Sequence, residues 1–562
     1  MRALAPLGLL MMVFMVTGCN KPASISDNSP AVPTPAPVDT LELTFSYGSE
    51  KQDWIETVTR DFNAAHNKSA SGKIISVKAL PMGSGECIDT IMNGTVKADL
   101  TSPASGAFIK LGNAESRTKT GKDLIASTDN LLLSPVVIAM WKPMAEALGW
   151  PGKPVGWSDI LALAKTPGGW SARGFSQWGD FKFGHTHPEF SNSGLISIFA
   201  EVYAATGKRA GLSLADVQSP NTAAYVSGIE RSIVHYGSST GFFGKKMFSN
   251  GPEYLSAAVL YENMVIESYS DKYQLPFPIV AIYPKEGTFW SDHPVGIVER
   301  EWVTPERREA AQKYVAFLLE KPQQEKALQY GFRPGLPEIP LTAPLDAAHG
   351  VNPKEPQTTL EVPSAEVMDG ITRLWHENKK RARITLVFDT SGSMREDNKI
   401  VSARLGGLEL LKKLDDADSF ALEPFNNQIL GNTPPAPLKG ARETYEKQIN
   451  SLFASGGTAL YDAINRAFDT QMQTRKSSSD EITAIVVLTD GADTNSQMNL
   501  EQLLDHIKSD EETRNIRIFT IGYGADAETD VLEKIANATQ AKFYKGTPEN
   551  IGEVFKDIST FF

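Results

Sequence analysis

Asp389, Ser391 and Ser393 occupy alternate positions of the run Asp389-Thr390-Ser391-Gly392-Ser393, so one carboxylate and two hydroxyls leave a short loop on the same side. Thr458 follows Gly456-Gly457, and Asp490 stands between Thr489 and Gly491. Five oxygen side chains without nitrogen or sulfur form a hard donor set, suited to Mg²⁺ first, with Ca²⁺ or Mn²⁺ as alternatives, and not to zinc or copper. With so few charged ligands, such an ion keeps positions for water or for an incoming carboxylate. The Asp-x-Ser-x-Ser run by itself is equally a capped turn, because Asp and Ser are common N-cap and loop residues. Thr458 and Asp490, in order and at the expected ends of elements, favour the metal.

Hydrophobic periodicity supplies the elements that must position these residues. Apolar, β-branched runs at 384–388, 484–488 and 516–521 suit strands buried on both faces of a parallel sheet. Ile400, Ala403, Leu408, Leu411 and Leu414 have helical spacing, and further helices are expected near 459–470, 498–508, 528–538 and 549–559. Alternating strands and helices predict a doubly wound parallel sheet, which binds ligands at the carboxyl ends of its strands. On these residues, the region 381–562 resembles a von Willebrand factor A domain, a Rossmann-like fold, and the five oxygen ligands resemble its metal-ion-dependent adhesion site. The resemblance implies that Ser391, Ser393 and Thr458 reach the ion directly, and that Asp389 and Asp490 do so directly or through water. It further implies that a protein or matrix partner completes the shell with an Asp or Glu.

Residues 41–380 are too many for one simple core but suit two α/β lobes. Strand, small polar turn and helix repeat three times, with turns at Ser46-Tyr47-Gly48-Ser49, Gly83-Ser84-Gly85 and Thr101-Ser102-Pro103. Turns of this kind expose backbone N–H groups at helix N-termini, which favour anions and hydrogen-bond acceptors. The order resembles a type II periplasmic solute-binding protein, with the crossing between lobes at 133–141, a return strand at 278–284 and a helical end at 307–330. That resemblance implies a cleft for a small solute, with Ser46, Ser84, Ser102, Asn192 and Ser193 as candidate contacts; each of these could also simply cap its helix. A short join near residue 380 implies a limited range of orientations between the two parts.

Two other patterns carry less. Gly237-Ser238-Ser239-Thr240-Gly241 fits Gly-x-Ser-x-Gly, but a nucleophile elbow needs a preceding strand, and 222–235 has helical spacing. His185 and His187 share one side of an extended segment, yet no acidic or cysteine cluster accompanies them in sequence, so a solvated or hydrogen-bonded role is expected.

The first forty residues concern location. Arg2 precedes an apolar stretch, 9–16, too short to span a bilayer, so 1–18 reads as a secretory signal. Val16-Thr17-Gly18-Cys19 resembles the bacterial lipobox, which implies acylation of Cys19 and a membrane attached through lipid. Residues 19–40 are rich in Pro and Ser and read as a tether reaching up to roughly 60 Å at about 3.1 Å per residue. Asn20 after Cys19 leans toward the outer membrane of a bacterial envelope, by analogy with lipoprotein sorting. Cys87, the other of two cysteines, is expected to be a buried small hydrophobe, leaving no internal disulfide if Cys19 carries lipid.

A net charge of −12 disfavours nucleic acid, whose phosphates need Lys and Arg. No nucleophile and base set is apparent, and no P-loop accompanies the metal domain, so no catalytic residue is assigned. The expected fold class is therefore α/β, a two-lobed binding region followed by a parallel-sheet metal domain. The expected function is a lipid-anchored envelope binding protein; the alternative is the solute receptor of an ABC-type transporter with the metal domain as its docking element.

Overall fold

A computed structural model describes residues 39–431, 433–474, 481–508 and 516–562. The signal segment 1–18, Cys19 and the tether before residue 39 lie outside the described residues. Among the described residues, no helix is long and apolar enough to cross a membrane.

The first sheet is five-stranded and contains β1 (Thr40–Gly48), β2 (Ile74–Met82), β3 (Leu100–Ser102), β4 (Ile125–Asn130) and β10 (Pro294–Val298), in the order β2-β1-β3-β10-β4. β1 runs parallel to β2 and β3, and β10 is antiparallel to β3 and β4. Leu43, Phe45 and Tyr47 of β1 are fully buried and share a core with Trp54, Val58 and Phe62 of helix Gln52–Ala64 and with Tyr314 of helix Pro305–Leu319. Burial of each such side chain stabilises the lobe by roughly 1.5–3 kcal/mol.

The second sheet is six-stranded and contains β5 (Leu132–Trp141), β6 (Phe183–Gly184), β7 (Ala257–Tyr261), β8 (Ile279–Ile282), β9 (Trp290–Ser291) and β11 (Arg333–Pro334). β5 is its hub, pairing antiparallel with β7, β8, β9 and β11. The chain crosses between the two sheets at Leu131, returns at Asp292 and His293, and crosses again from helix Lys321–Gln329 into β11. The expected crossing at 133–141 and return at 278–284 are thus displaced, since β5 and β8 both lie wholly in the second sheet. Their residues are almost all buried, and a continuous apolar run reports burial, not membership of a particular sheet.

The third sheet is six-stranded, β14-β13-β12-β15-β16-β17, formed by β12 (Arg381–Asp389), β13 (Ser419–Phe425), β14 (Ala436–Pro437), β15 (Glu481–Thr489), β16 (Ile516–Tyr523) and β17 (Phe543–Gly546). All are parallel except β14, as the alternating pattern requires. Helices Lys399–Lys413, Leu460–Thr474, Leu500–Ile507, Thr529–Ala538 and Ile551–Ser559 fall where periodicity places them. β13 and β17 have no such signal, because Glu423 and Pro424 interrupt the first and Lys545 the second.

The third sheet meets the second lobe with the amino ends of its strands. Lys379 Nζ donates to Phe562 O at 3.1 Å, Lys380 Nζ to Ile233 O at 2.9 Å, and Tyr236 N to Phe561 O at 3.3 Å. Trp375, on helix Ala365–Asn378 just before β12, is fully buried against Tyr236 and His187. Contact also reaches the first lobe, where Lys556 lies 3.7 Å from Asp89.

His376 joins the parts electrostatically, 3.4 Å from Glu189 and 3.3 Å from Asp415. Burial pulls its pKa down, but hydrogen bonds and charge from Asp415 and Glu189 win and raise it from 6.5 to about 9, while Glu189 and Asp415 are each held at about 2. A basic group with a raised folded pKa contributes stability that is complete below its unfolded pKa and lost as pH climbs through the folded value. Melting temperature is therefore expected to fall between about pH 6.5 and 9, and His376→Gln should flatten that limb. An unchanged alkaline limb in the variant would show that this junction does not depend on the His376 charge.

Candidate functional site

β12 and β15 end side by side, and their carboxyl ends carry Asp389 and Asp490, both fully buried. Asp389 Oδ1 accepts from Ser391 N at 2.7 Å, which turns the chain into the loop, and Oδ2 accepts from Thr489 Oγ1 at 2.6 Å. Ser391 Oγ and Ser393 Oγ are 3.0 Å apart, and Ser393 Oγ donates to Asp490 Oδ1 at 2.7 Å. Gly392 N donates to Gly456 O at 2.9 Å, which brings the third loop alongside two residues before Thr458. Gly456 has φ +81, and a Cβ there would lie 2.4 Å from Asn427 Oδ1, so glycine is required at this turn. The Thr458 N–H is pinned by Thr494 Oγ1 and Asn495 Oδ1. All five predicted residues therefore stand on three loops that the fold brings together.

Lys399 is the participant that sequence reasoning missed. Its Nζ lies 2.8 Å from Asp490 Oδ2, and its side chain is nearly buried. The ammonium loses solvation there, but the hydrogen bond and charge of Asp490 prevail and raise its pKa. A lysine in the first turn of a helix opposes the helix dipole, and that misplacement was the available signal. Burial lifts the Asp389 pKa to about 6, with neighbouring Asp490 adding to the rise. One ammonium against two buried carboxylates leaves negative charge uncompensated, and the surrounding donors are oxygens. The residues present thus fit a hard divalent cation.

The five cleft candidates are all buried, but they are not equally free. Ser46 Oγ donates to Thr101 Oγ1, Ser84 Oγ accepts from Ala104 N, and Ser193 Oγ is shared with Thr186 and Thr240. By contrast, Ser102 Oγ and Asn192 Oδ1 have no hydrogen-bond partner among the described residues, and neither do Tyr47 OH and His293 Nε2. Tyr47 is paired in register with Ser102, the Asn192 amide donates to Tyr261 OH and Ser291 Oγ, and the Tyr261 ring lies 5.7 Å from that of His293. Through Tyr261, the return crossing therefore brings the unpaired His293 nitrogen near the second lobe's Asn192.

A buried charge cluster stands beside them. Lys51 Nζ is 2.6 Å from Glu50 Oε1, and His293 Nδ1 is 3.3 Å from both groups. Burial raises the Glu50 pKa, but Lys51 and His293 overcome it and hold the carboxyl at about 2. His293 has φ +37, an uncommon left-handed backbone at the return crossing. Glu50 and Lys51, charged residues directly after a strand and turn, could have been singled out from sequence.

The expectation that Gly83-Ser84-Gly85 offers amides to an anion needs correction. Gly85 N donates to Phe190 O at 2.9 Å and Gly83 N to Glu86 Oε2, while a Cβ on Gly85 would lie 1.9 Å from Glu189 O. The glycines serve close approach of the two lobes. Ser239 precedes helix Thr240–Asn250 without a side-chain cap bond, accepts from Ser49 Oγ and has no strand before it. His185 and His187 are buried and take the hydrogen-bonded one of the two expected roles, His185 with Thr186 O and Glu230 and His187 Nδ1 accepting from Glu189 N; burial lowers the His187 pKa to about 3, and its ring packs on Trp375.

A sequence profile described as bacterial extracellular solute-binding protein matches residues 43–333, and a von Willebrand factor type A domain profile matches 384–557. The inter-alpha-trypsin inhibitor heavy chain H2 of Mesocricetus auratus is 25% identical over 189 residues, 32% of this chain; the chain spans only 20% of that relative's length. Among solved structures, the periplasmic binding protein P5PA is 12% identical, covering 60% of this chain and 99% of its own at a TM-score of 0.40. The sulfate-binding protein SubI from Mycobacterium tuberculosis H37Rv is 18% identical, covering 53% of this chain and 88% of its own at 0.36. A von Willebrand factor type A protein from Catenulispora acidiphila is 22% identical, covering 32% of this chain and 42% of its own at 0.27. The chain belongs to the bacterial extracellular solute-binding protein family, with a von Willebrand factor type A domain following its solute-binding region.

Proposed function

We propose that this protein is a lipid-anchored binding protein of the bacterial cell envelope. In this reading Cys19 carries the lipid, 41–380 takes a small solute, and 381–562 recognises a protein or matrix partner through a divalent cation, Mg²⁺ before Ca²⁺ or Mn²⁺. The observation that carries the proposal is the polarity of the third sheet. Its amino ends are covered by the second lobe, so the loops of Asp389, Ser391, Ser393, Thr458 and Asp490 stand at the opposite end. Phe453, in the loop leading to Thr458, is 74% exposed and offers apolar area beside those loops.

A bound cation would supply a Lewis-acidic position for a partner's carboxylate. Ser391, Ser393 and Thr458 would hold it with Asp389 and Asp490, and Lys399 would keep one Asp490 oxygen oriented. Titration of Mg²⁺ into the full chain is expected to weaken more than about tenfold, or 1.4 kcal/mol, in Asp389→Ala. Equal affinity in wild type and variant would remove the metal from this site.

For the cleft, the unpaired atoms of Asn192 and His293, joined through Tyr261, call for a polar ligand. Native mass spectrometry of the purified chain is expected to reveal a retained small solute that Asn192→Ala releases. Equal retention by both proteins would place the solute elsewhere. A second reading, a transporter's solute receptor with the A-type domain as docking element, draws on contact of that domain with both lobes, at Asp89 and at Tyr236. Movement of the lobes would then be transmitted to it, and co-purification with a membrane permease distinguishes this case.

A further inference from the structure

His185, Glu201 and Glu230 meet inside the second lobe, apart from both sites described above. His185 follows β6, Glu201 lies on helix Asn192–Thr206, and Glu230 ends helix Pro220–Glu230. All three are fully buried, and one ligand atom from each lies within 4.8 Å of the others. Neither oxygen of Glu201 reaches full hydrogen-bond geometry with any described residue, and the donor that acts on it is the Ser197 hydroxyl, one turn earlier on the same helix, which has no other partner among them. A buried carboxylate with so little donation is costly, and the position of its neighbours says what is missing.

His185 Nδ1 lies 2.7 Å from Thr186 O, and a carbonyl oxygen only accepts, so Nδ1 carries the ring proton. Nε2 then faces Glu230 Oε1 at 3.0 Å, so the imidazole nitrogen and the carboxylate converge on one position. The other oxygen of Glu230, Oε2, accepts from Tyr236 OH at 2.5 Å and from Trp375 Nε1 at 3.1 Å, which leaves Oε1 for a further partner. Among the described residues, no Lys or Arg forms a salt bridge with Glu201 or Glu230. Burial and the charge of Glu230 push the Glu201 pKa well up, so protonating Glu201 would ease the charge.

We infer that His185 Nε2, Glu230 Oε1 and the Glu201 carboxylate form an internal site for one borderline divalent cation, Zn²⁺ by donor chemistry. One imidazole and two carboxylates balance a dication, and a mixed nitrogen and oxygen set selects differently from the all-oxygen set at Asp389. Ligand atoms around a four-coordinate Zn²⁺ stand about 3.3 Å apart, close to the 3.0 Å between His185 and Glu230. Glu201 supplies one bond or two. Thr186 O orients the imidazole, and Tyr236 and Trp375 orient Glu230, as outer partners of metal ligands do. Trp375 belongs to helix Ala365–Asn378, which leads into β12, so the ion would brace the second lobe against the A-type domain.

The test uses the full chain, expressed with and without added Zn²⁺, desalted and analysed for metal by plasma mass spectrometry. About one Zn²⁺ per chain is expected in wild type and in Asp389→Ala, which separates this site from the surface one. Loss of that ion is expected in Glu201→Gln and in His185→Gln. Melting temperature should rise with Zn²⁺ in wild type and stay unmoved in Glu201→Gln. Wild-type protein without retained Zn²⁺ overturns the inference even if neither variant folds. Equal Zn²⁺ content in Glu201→Gln overturns it as well, and so does a Glu201→Gln chain more stable than wild type under both conditions, which would identify a protonated Glu201.

Discussion

The shared direction of β12, β15 and β16 constrains the whole C-terminal half. A parallel sheet collects all its carboxyl-end loops on one edge and all its amino ends on the other. The carboxyl edge holds Asp389 and Asp490, and the amino edge supplies Lys379, Lys380, Arg381 and Glu481 near the second lobe. β12 therefore carries the junction at one end and the candidate metal loop at the other, with a buried apolar run between them. Its burial on both faces makes the strand rigid, so the two ends hold a constant separation.

Buried charge is handled in distinct ways across the molecule. Asp99 receives a bidentate Arg307, and Glu262 receives Arg333. Those pairs are complete in themselves, with geometry that fits guanidinium to carboxylate. Glu50 shares Lys51 and His293, and the second nitrogen of His293 lacks a partner among the described residues, so a compensated charge cluster ends on an unsatisfied buried atom. Among the described residues, Asp389 and Asp490 have Lys399 alone, and Glu201 has no Lys or Arg partner. The gradient from complete to incomplete compensation separates structural pairs from the places proposed to bind.

The junction couples these regions. Trp375 and His376, adjacent on one helix, touch Glu230 in the second lobe, Glu189 beside the interlobe contact, and Asp415 in the A-type domain. Gly85 and Phe190 bring the two lobes together one residue from that same Glu189. A change in lobe closure and a change at the junction therefore act on a shared segment of backbone.

Much was legible without coordinates, since local chemistry and periodicity need only neighbours in sequence. The run from Asp389 to Ser393, the two glycines before Thr458 and the strand before Asp490 set both the type of loop and its hard oxygen donors. The helices of the A-type domain followed from spacing. Strands β13 and β17 did not, because polar residues and proline interrupt their apolar runs. Sheet membership of β5 and β8 was equally hidden, since hydrophobicity records burial without naming the partner strand. Residue types alone marked Ser46, Ser84 and Ser193 as candidate contacts, and only tertiary packing decided that their hydroxyls are spent within the protein. Lys399 at Asp490, His293 at Lys51, and Glu201 and Glu230 at His185 are contacts between segments distant in sequence. Their meeting depends on how helices and sheets pack, and no local pattern encodes that distance.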